Sequence, residues 1–110
     1  GLIVSNHGGR TLDTTPATAV ALPRIAAALN GALPLLVDGG IRRGTDVLKA
    51  MALGASGVLI GRPVAQALAV GGAQGVAHMI RLLRDELEMA MALAGCKHLP
   101  AVDTALLTGD

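Results

Sequence analysis

Residues 35–44 read Leu35-Leu36-Val37-Asp38-Gly39-Gly40-Ile41-Arg42-Arg43-Gly44. An apolar run that ends in an acid and two glycines, with Thr45 just beyond, reads as a strand running through a tight loop into a helix. The run does not alternate apolar with polar residues, so burial on both faces is expected, as in a parallel sheet covered by helices. Two other stretches share this form: Leu2-Ile3-Val4-Ser5 upstream and Gly57-Val58-Leu59-Ile60 downstream. Each also ends in a polar, glycine-bearing loop, Ser5-Asn6-His7-Gly8-Gly9-Arg10 in the first case and Gly61-Arg62-Pro63 in the second.

Helical stretches fill the intervals. A proline costs about 3 kcal/mol inside a helix but suits its first turn, so Pro16 and Pro23 predict a short turn over 16–21 and a helix from about Pro23 to Asn30-Gly31. A second helix is expected from a Thr45 cap to a Gly54 stop. A third, short helix over 63–70 meets the Gly71-Gly72 pair, and a long amphipathic helix follows over 73–94. That helix gathers Val76, Ile80, Leu83, Leu87 and Met91 on one stripe, with His78, Arg81, Asp85 and Glu88 opposite.

Strand and helix alternating three times is the pattern of right-handed parallel α/β units. Three doubly buried strands without blunted edges need neighbours on either side. The expected fold is therefore α/β, the C-terminal portion (about three βα units) of a TIM (β/α)8 barrel, a fold of about 250 residues when whole. Residues 1–110 are read as one partial barrel domain with its N-terminal part missing.

Composition narrows the function. Of 110 residues, 52% are hydrophobic and 15% charged, which excludes a disordered chain. No apolar run approaches the roughly 18 residues of a membrane span. Nine Lys and Arg against eight Asp and Glu, with no aromatic residue, leave neither a basic surface nor a stacking platform, so no nucleic-acid partner is expected. The single Cys96 can form no internal disulfide, and its place after Gly95 suits a small buried side chain. The expected location is the cytoplasm, with membrane association open through the missing part. No metal site is expected.

In parallel α/β folds the loops leaving the C-terminal strand ends carry the chemistry. The second and third loops pair glycine with arginine. Glycine lets backbone N–H groups approach an anion, a following helix adds a positive partial charge, and arginine offers a planar fork to phosphate oxygens. Arg42, Gly61 and Arg62 are the candidate phosphate ligands; ordinary tight turns with solvated arginines are the alternative. In the first loop, His7 can accept and return a proton near neutral pH and Arg10 can hold a carboxylate through two hydrogen bonds. A structural histidine beside a surface arginine is the alternative there. Asp38 could accept from a ligand hydroxyl or organise its own glycine turn.

The three loops together resemble the FMN-dependent 2-hydroxyacid oxidase and dehydrogenase family, which includes glycolate oxidase, lactate oxidase, lactate dehydrogenase and mandelate dehydrogenase. The resemblance runs through Ser5-Asn6-His7-Gly8-Gly9-Arg10, Leu12-Asp13, Pro16-Ala17-Thr18, Asp38-Gly39-Gly40-Ile41-Arg42-Arg43-Gly44-Thr45-Asp46-Val47, Gly61-Arg62-Pro63 and Arg84-Asp85-Glu86-Leu87-Glu88. It implies FMN as cofactor, His7 as catalytic base and substrate contact, and Arg10 as the clamp on the substrate carboxylate. It further implies that Ser5 touches the flavin, that Asp38, Gly39, Gly40, Ile41 and Arg42 hold the ribityl chain and phosphate, and that Gly61 and Arg62 complete the phosphate site. The implied partners are a small 2-hydroxy acid of lactate or glycolate type, an electron acceptor (dioxygen, quinone or cytochrome) and further copies of the full-length chain in a homo-oligomer. Thr11 departs from the family, many of whose members carry glutamine there.

Two other readings stay open. Type 2 isopentenyl diphosphate isomerase and inosine monophosphate dehydrogenase share an Asp-Gly-Gly-Ile loop and a later glycine loop, but lack the His7-Gly8-Gly9-Arg10 arrangement. An inactive fragment that only binds phosphate ligands is the second, and the isolated piece is expected not to turn over substrate.

Overall fold

The three apolar runs pair in chain order. The computed structural model describes residues 1–107 and contains one parallel sheet, β1 (Leu2–Val4), β2 (Leu35–Val37) and β3 (Gly57–Val58), with Val4 opposite Val37 and Val37 opposite Val58. Each strand stops short of its predicted end, because Ser5 and Asp38 turn into the loops. The ladder nevertheless continues briefly, with Asp38 N–H donating to Val4 O at 3.1 Å and Leu59 N–H to Val37 O at 2.9 Å.

Helix α1 (Thr18–Leu29) corrects the sequence expectation, since it starts at Thr18 and takes Pro23 into its interior. The proline cannot bond the carbonyl four residues back, on Ala19, but both residues are exposed, so water can serve that oxygen. The same turns place Leu22 and Thr18 against the sheet, only 1% and 6% exposed, and this burial favours the unbroken helix. α1 ends as expected, with Asn30 and Gly31 at positive φ.

Helix α2 (Gly44–Ala52) begins one residue before the expected Thr45 cap. Its N-cap residue is Arg43, and Asp46 at the third helical position reaches back, its Oδ2 accepting from Arg42 N–H at 3.0 Å and Arg43 N–H at 2.9 Å. Helix α3 (Arg62–Leu93) opens with Pro63 in its first turn and breaks at Gly71-Gly72, where Gly72 adopts φ 57°. Its two segments lie so close that a Cβ at Gly75 would strike the carbonyl oxygen of Ala67. Short 3-10 turns at His7–Gly9, Leu99–Ala101 and Thr104–Leu106 complete the described chain.

The core gathers Val4, Leu35 and Val37 from the sheet, Leu22 from α1, Val47 and Ala50 from α2, and Ile41 and Ala55 from loops. From α3, Leu83 and Leu87 pack against it, while Ile80 departs from the expected buried stripe and is 53% exposed. Nine-residue α2 is about 13 Å long, so it can cover only part of the second segment of α3. The polar residues expected opposite, His78, Arg81, Asp85 and Glu88, are exposed, whereas Cys96 is half-buried rather than fully buried.

Burial on both sheet faces does not hold. Alternation puts Val4, Leu35 and Val37 on the helix-covered side and Ile3, Leu36 and Gly57 on the other. Ile3 is 54% exposed there and Leu59 39%, because no element among the described residues covers that side. Such a face is what a closed barrel fills with its own interior side chains.

Candidate functional site

A parallel sheet sends every strand's C-terminal end to one edge, and here the chemically equipped loops follow all three strands. His7 and Arg10 come after β1, Asp38 to Arg42 after β2, and Gly61 with Arg62 after β3. The ten candidate residues therefore lie on one rim.

Continuing the strand alternation one step puts Ser5 and Asp38 on the uncovered face, beside Ile3 and Leu36. There the Ser5 hydroxyl donates to Asp38 Oδ2 at 2.8 Å. The same Ser5 oxygen accepts from the His7 backbone N–H at 3.1 Å. His7 itself sits at φ 57°, a left-handed conformation unusual for any residue but glycine, and its side chain is exposed. Arg10 is exposed at the end of the same 3-10 turn.

The other Asp38 oxygen, Oδ1, is buried and bonds nothing among the described residues. A buried carboxylate oxygen without a donor is costly, and hydroxyl groups are the donors that would relieve it. The loop beyond is fixed by Thr18, whose hydroxyl donates to the Asp38 carbonyl at 2.6 Å. Gly39, at φ 87°, runs so close to α1 that a Cβ would come within 3.2 Å of Thr18 Oγ1. Gly40, by contrast, has open space on its Cβ side, as does Gly61. Ile41 is 8% exposed and its side chain belongs to the core, so only its backbone is left to meet a ligand.

The expectation that both helix starts offer free amides is corrected at α2. There Asp46 takes the N–H groups of Arg42 and Arg43, and Glu86 Oε2 from α3 accepts from Gly44 N–H at 2.8 Å. Two carboxylates already complement that end of the dipole. What the loop still offers an anion is the Arg42 guanidinium. Arg42 and Arg62 are both exposed and pair with no carboxylate among the described residues, where Arg84–Glu88 is the one ion pair. Glu88 holds the Arg84 guanidinium above its ordinary pKa through that hydrogen bond, out on the solvent side of α3.

Sequence reading assigned no role to Thr18, Asp46 or Glu86. An acid at the third helical position, as at Asp46, is a recognisable capping signal; Glu86 had no signal, because its partner is 42 residues away. No group of three or more His, Cys, Asp or Glu suited to a metal is found among the described residues. No helix there is long and apolar enough to cross a membrane.

The comparisons with known proteins converge. A family model described as FMN-dependent dehydrogenase matches residues 1–109. An L-lactate oxidase from Nostoc sp. is 59% identical over 106 residues, which are 96% of this chain and 29% of the relative. Glycolate oxidase 1 from Zea mays is 57% identical over 102 residues, covering 93% of this chain and 28% of the relative. A crystal structure of mandelate oxidase with benzoyl-formic acid superposes with a TM-score of 0.89 at 54% identity, over 91% of this chain and 30% of that one. The fold is accordingly a piece of a TIM barrel, and the chain spans less than a third of the length of these relatives. With that coverage of its own residues, the chain belongs to the FMN-dependent dehydrogenase family.

Proposed function

We propose that this chain is the C-terminal part of a longer barrel enzyme that oxidises an L-2-hydroxy acid, of lactate or glycolate type, to the 2-oxo acid with FMN. The observation that carries this reading is the parallel register, which brings a histidine, a carboxylate and three arginines without a carboxylate partner among the described residues to one rim.

The residues present fit the cofactor. The unpartnered buried oxygen of Asp38 suits a ribityl hydroxyl, Arg42 and Arg62 suit the phosphate, and the open sides of Gly40 and Gly61 leave its oxygens room. When bound, FMN supplies an acceptor for two electrons. Arg10 holds the substrate carboxylate through paired hydrogen bonds, which turns the alpha carbon towards the cofactor. His7 takes one of the two protons that the hydroxy acid loses as it becomes the oxo acid. Dioxygen is the final electron acceptor, as the name oxidase of the relatives implies. The protein acts in the cytoplasm as a homo-oligomer of the full-length chain.

The test is to purify the full-length protein and add L-lactate or glycolate without oxygen. A yellow preparation whose flavin absorbance bleaches supports the reading, and a preparation that holds no flavin, or flavin that stays oxidised with every short 2-hydroxy acid, overturns it.

A further inference from the structure

Ser5 stands between two groups at the rim. Its hydroxyl hydrogen goes to Asp38 Oδ2 at 2.8 Å, and its oxygen receives the His7 N–H at 3.1 Å. A serine hydroxyl has a single hydrogen to donate, so with Asp38 as acceptor the lone pairs face outward to other donors. The His7 amide occupies one of them. That amide belongs to the residue at φ 57°, and a β-carbon-bearing residue stays in such a conformation when neighbouring bonds fix it. Gly8 and Gly9 follow at φ 67° and 69°, so the backbone turns left-handed for three successive residues starting at the one Ser5 holds.

We infer that Ser5 is a positioning residue for His7, linking the backbone of the proposed base to the Asp38 carboxylate that faces the cofactor's hydroxyls. This rests on the functional reading above and adds to it that Ser5 acts on catalysis through His7, beyond any contact of its own with the flavin. The carboxylate is divided between two tasks: Oδ2 orients the serine, and Oδ1 remains for the ligand. Loading of the cofactor site and the stance of the base therefore share one side chain.

The experiment uses the full-length holoenzyme with Ser5→Ala and Ser5→Thr. Loss of the hydroxyl is expected to lower kcat about 10- to 100-fold, the order of effect that misplacing a catalytic group produces. KM for the hydroxy acid is expected to stay within about threefold of the parent, since Arg10 is retained. Ser5→Thr, which keeps the hydroxyl, restores most of kcat. A crystal structure of Ser5→Ala gives a readout independent of turnover: His7 should leave the left-handed region. Unchanged kcat, a weakened FMN complex with kcat intact, or an unmoved His7 backbone each overturns the inference. His7→Gln separates the two levels, because full activity in that variant sinks the assignment of His7 as base, whereas the crystallographic outcome for Ser5 stands apart from it.

Discussion

Glu86 reaches across from the second segment of α3 to accept the Gly44 N–H at the first residue of α2, at 2.8 Å. The approach is so close that a Cβ on Gly44 would collide with Leu87 N and the carbonyl carbon of Glu86. Glu86→Ala leaves a part-buried amide without a partner and is expected to cost about 1–3 kcal/mol, while Glu86→Gln keeps an acceptor and costs less. Gly44→Ala should match or exceed the alanine loss through overpacking. Denaturant unfolding of the full-length protein measures all three.

The Asp46 cap makes a separate expectation. Asp46→Ala removes the acceptor of two N–H groups and should cost about 0.5–2 kcal/mol in the same measurement. Asp46→Asn retains an acceptor oxygen and should lose less than the alanine variant.

At the glycine turn, Thr18→Val exchanges the hydroxyl that serves the Asp38 carbonyl for a methyl in a buried place. The expected loss is about 1–3 kcal/mol from the orphaned carbonyl. Thermal unfolding would show it, and a Tm equal to the parent's would refute the role given to this bond.

Arg62→Ala and Arg42→Ala each remove a guanidinium from the proposed phosphate site. Hydrogen bonds to charged groups contribute about 1.5–3 kcal/mol, so FMN affinity should fall about 10- to 100-fold for either. Arg62→Lys keeps the charge but loses the fork, and should lie between. Flavin fluorescence titration of the stripped full-length protein reads the change; no change for either alanine variant counts against the phosphate assignment.

Much of this was legible in the sequence, and the exceptions share a cause. The unbroken apolar runs marked the strands, Asn30-Gly31 and Gly54 marked helix ends, and Gly71-Gly72 marked the break in α3, because each depends on a few adjacent residues. Pro23 misled because its local cost is outweighed by where Leu22 ends up, which only the packed sheet decides. Expecting both sheet faces buried failed at Ile3 and Leu59, because nothing among the described residues packs on that side of the sheet. The candidate residues were readable by type and spacing. The Ser5–Asp38 bond was not, because it joins two loops 33 residues apart, and the left-handed turn that aims the His7 amide at Ser5 has no local signal at a histidine.

Helix α3 works as a ruler: it starts at the rim with Arg62, folds back at Gly72, and marks off a fixed distance to Glu86. One extra residue between Ala73 and Glu86 would swing the carboxylate by about 100° around the helix axis and off Gly44. The same insertion at the Gly71-Gly72 bend would be absorbed there, so sequence length is policed along one stretch of this helix and forgiven at its elbow.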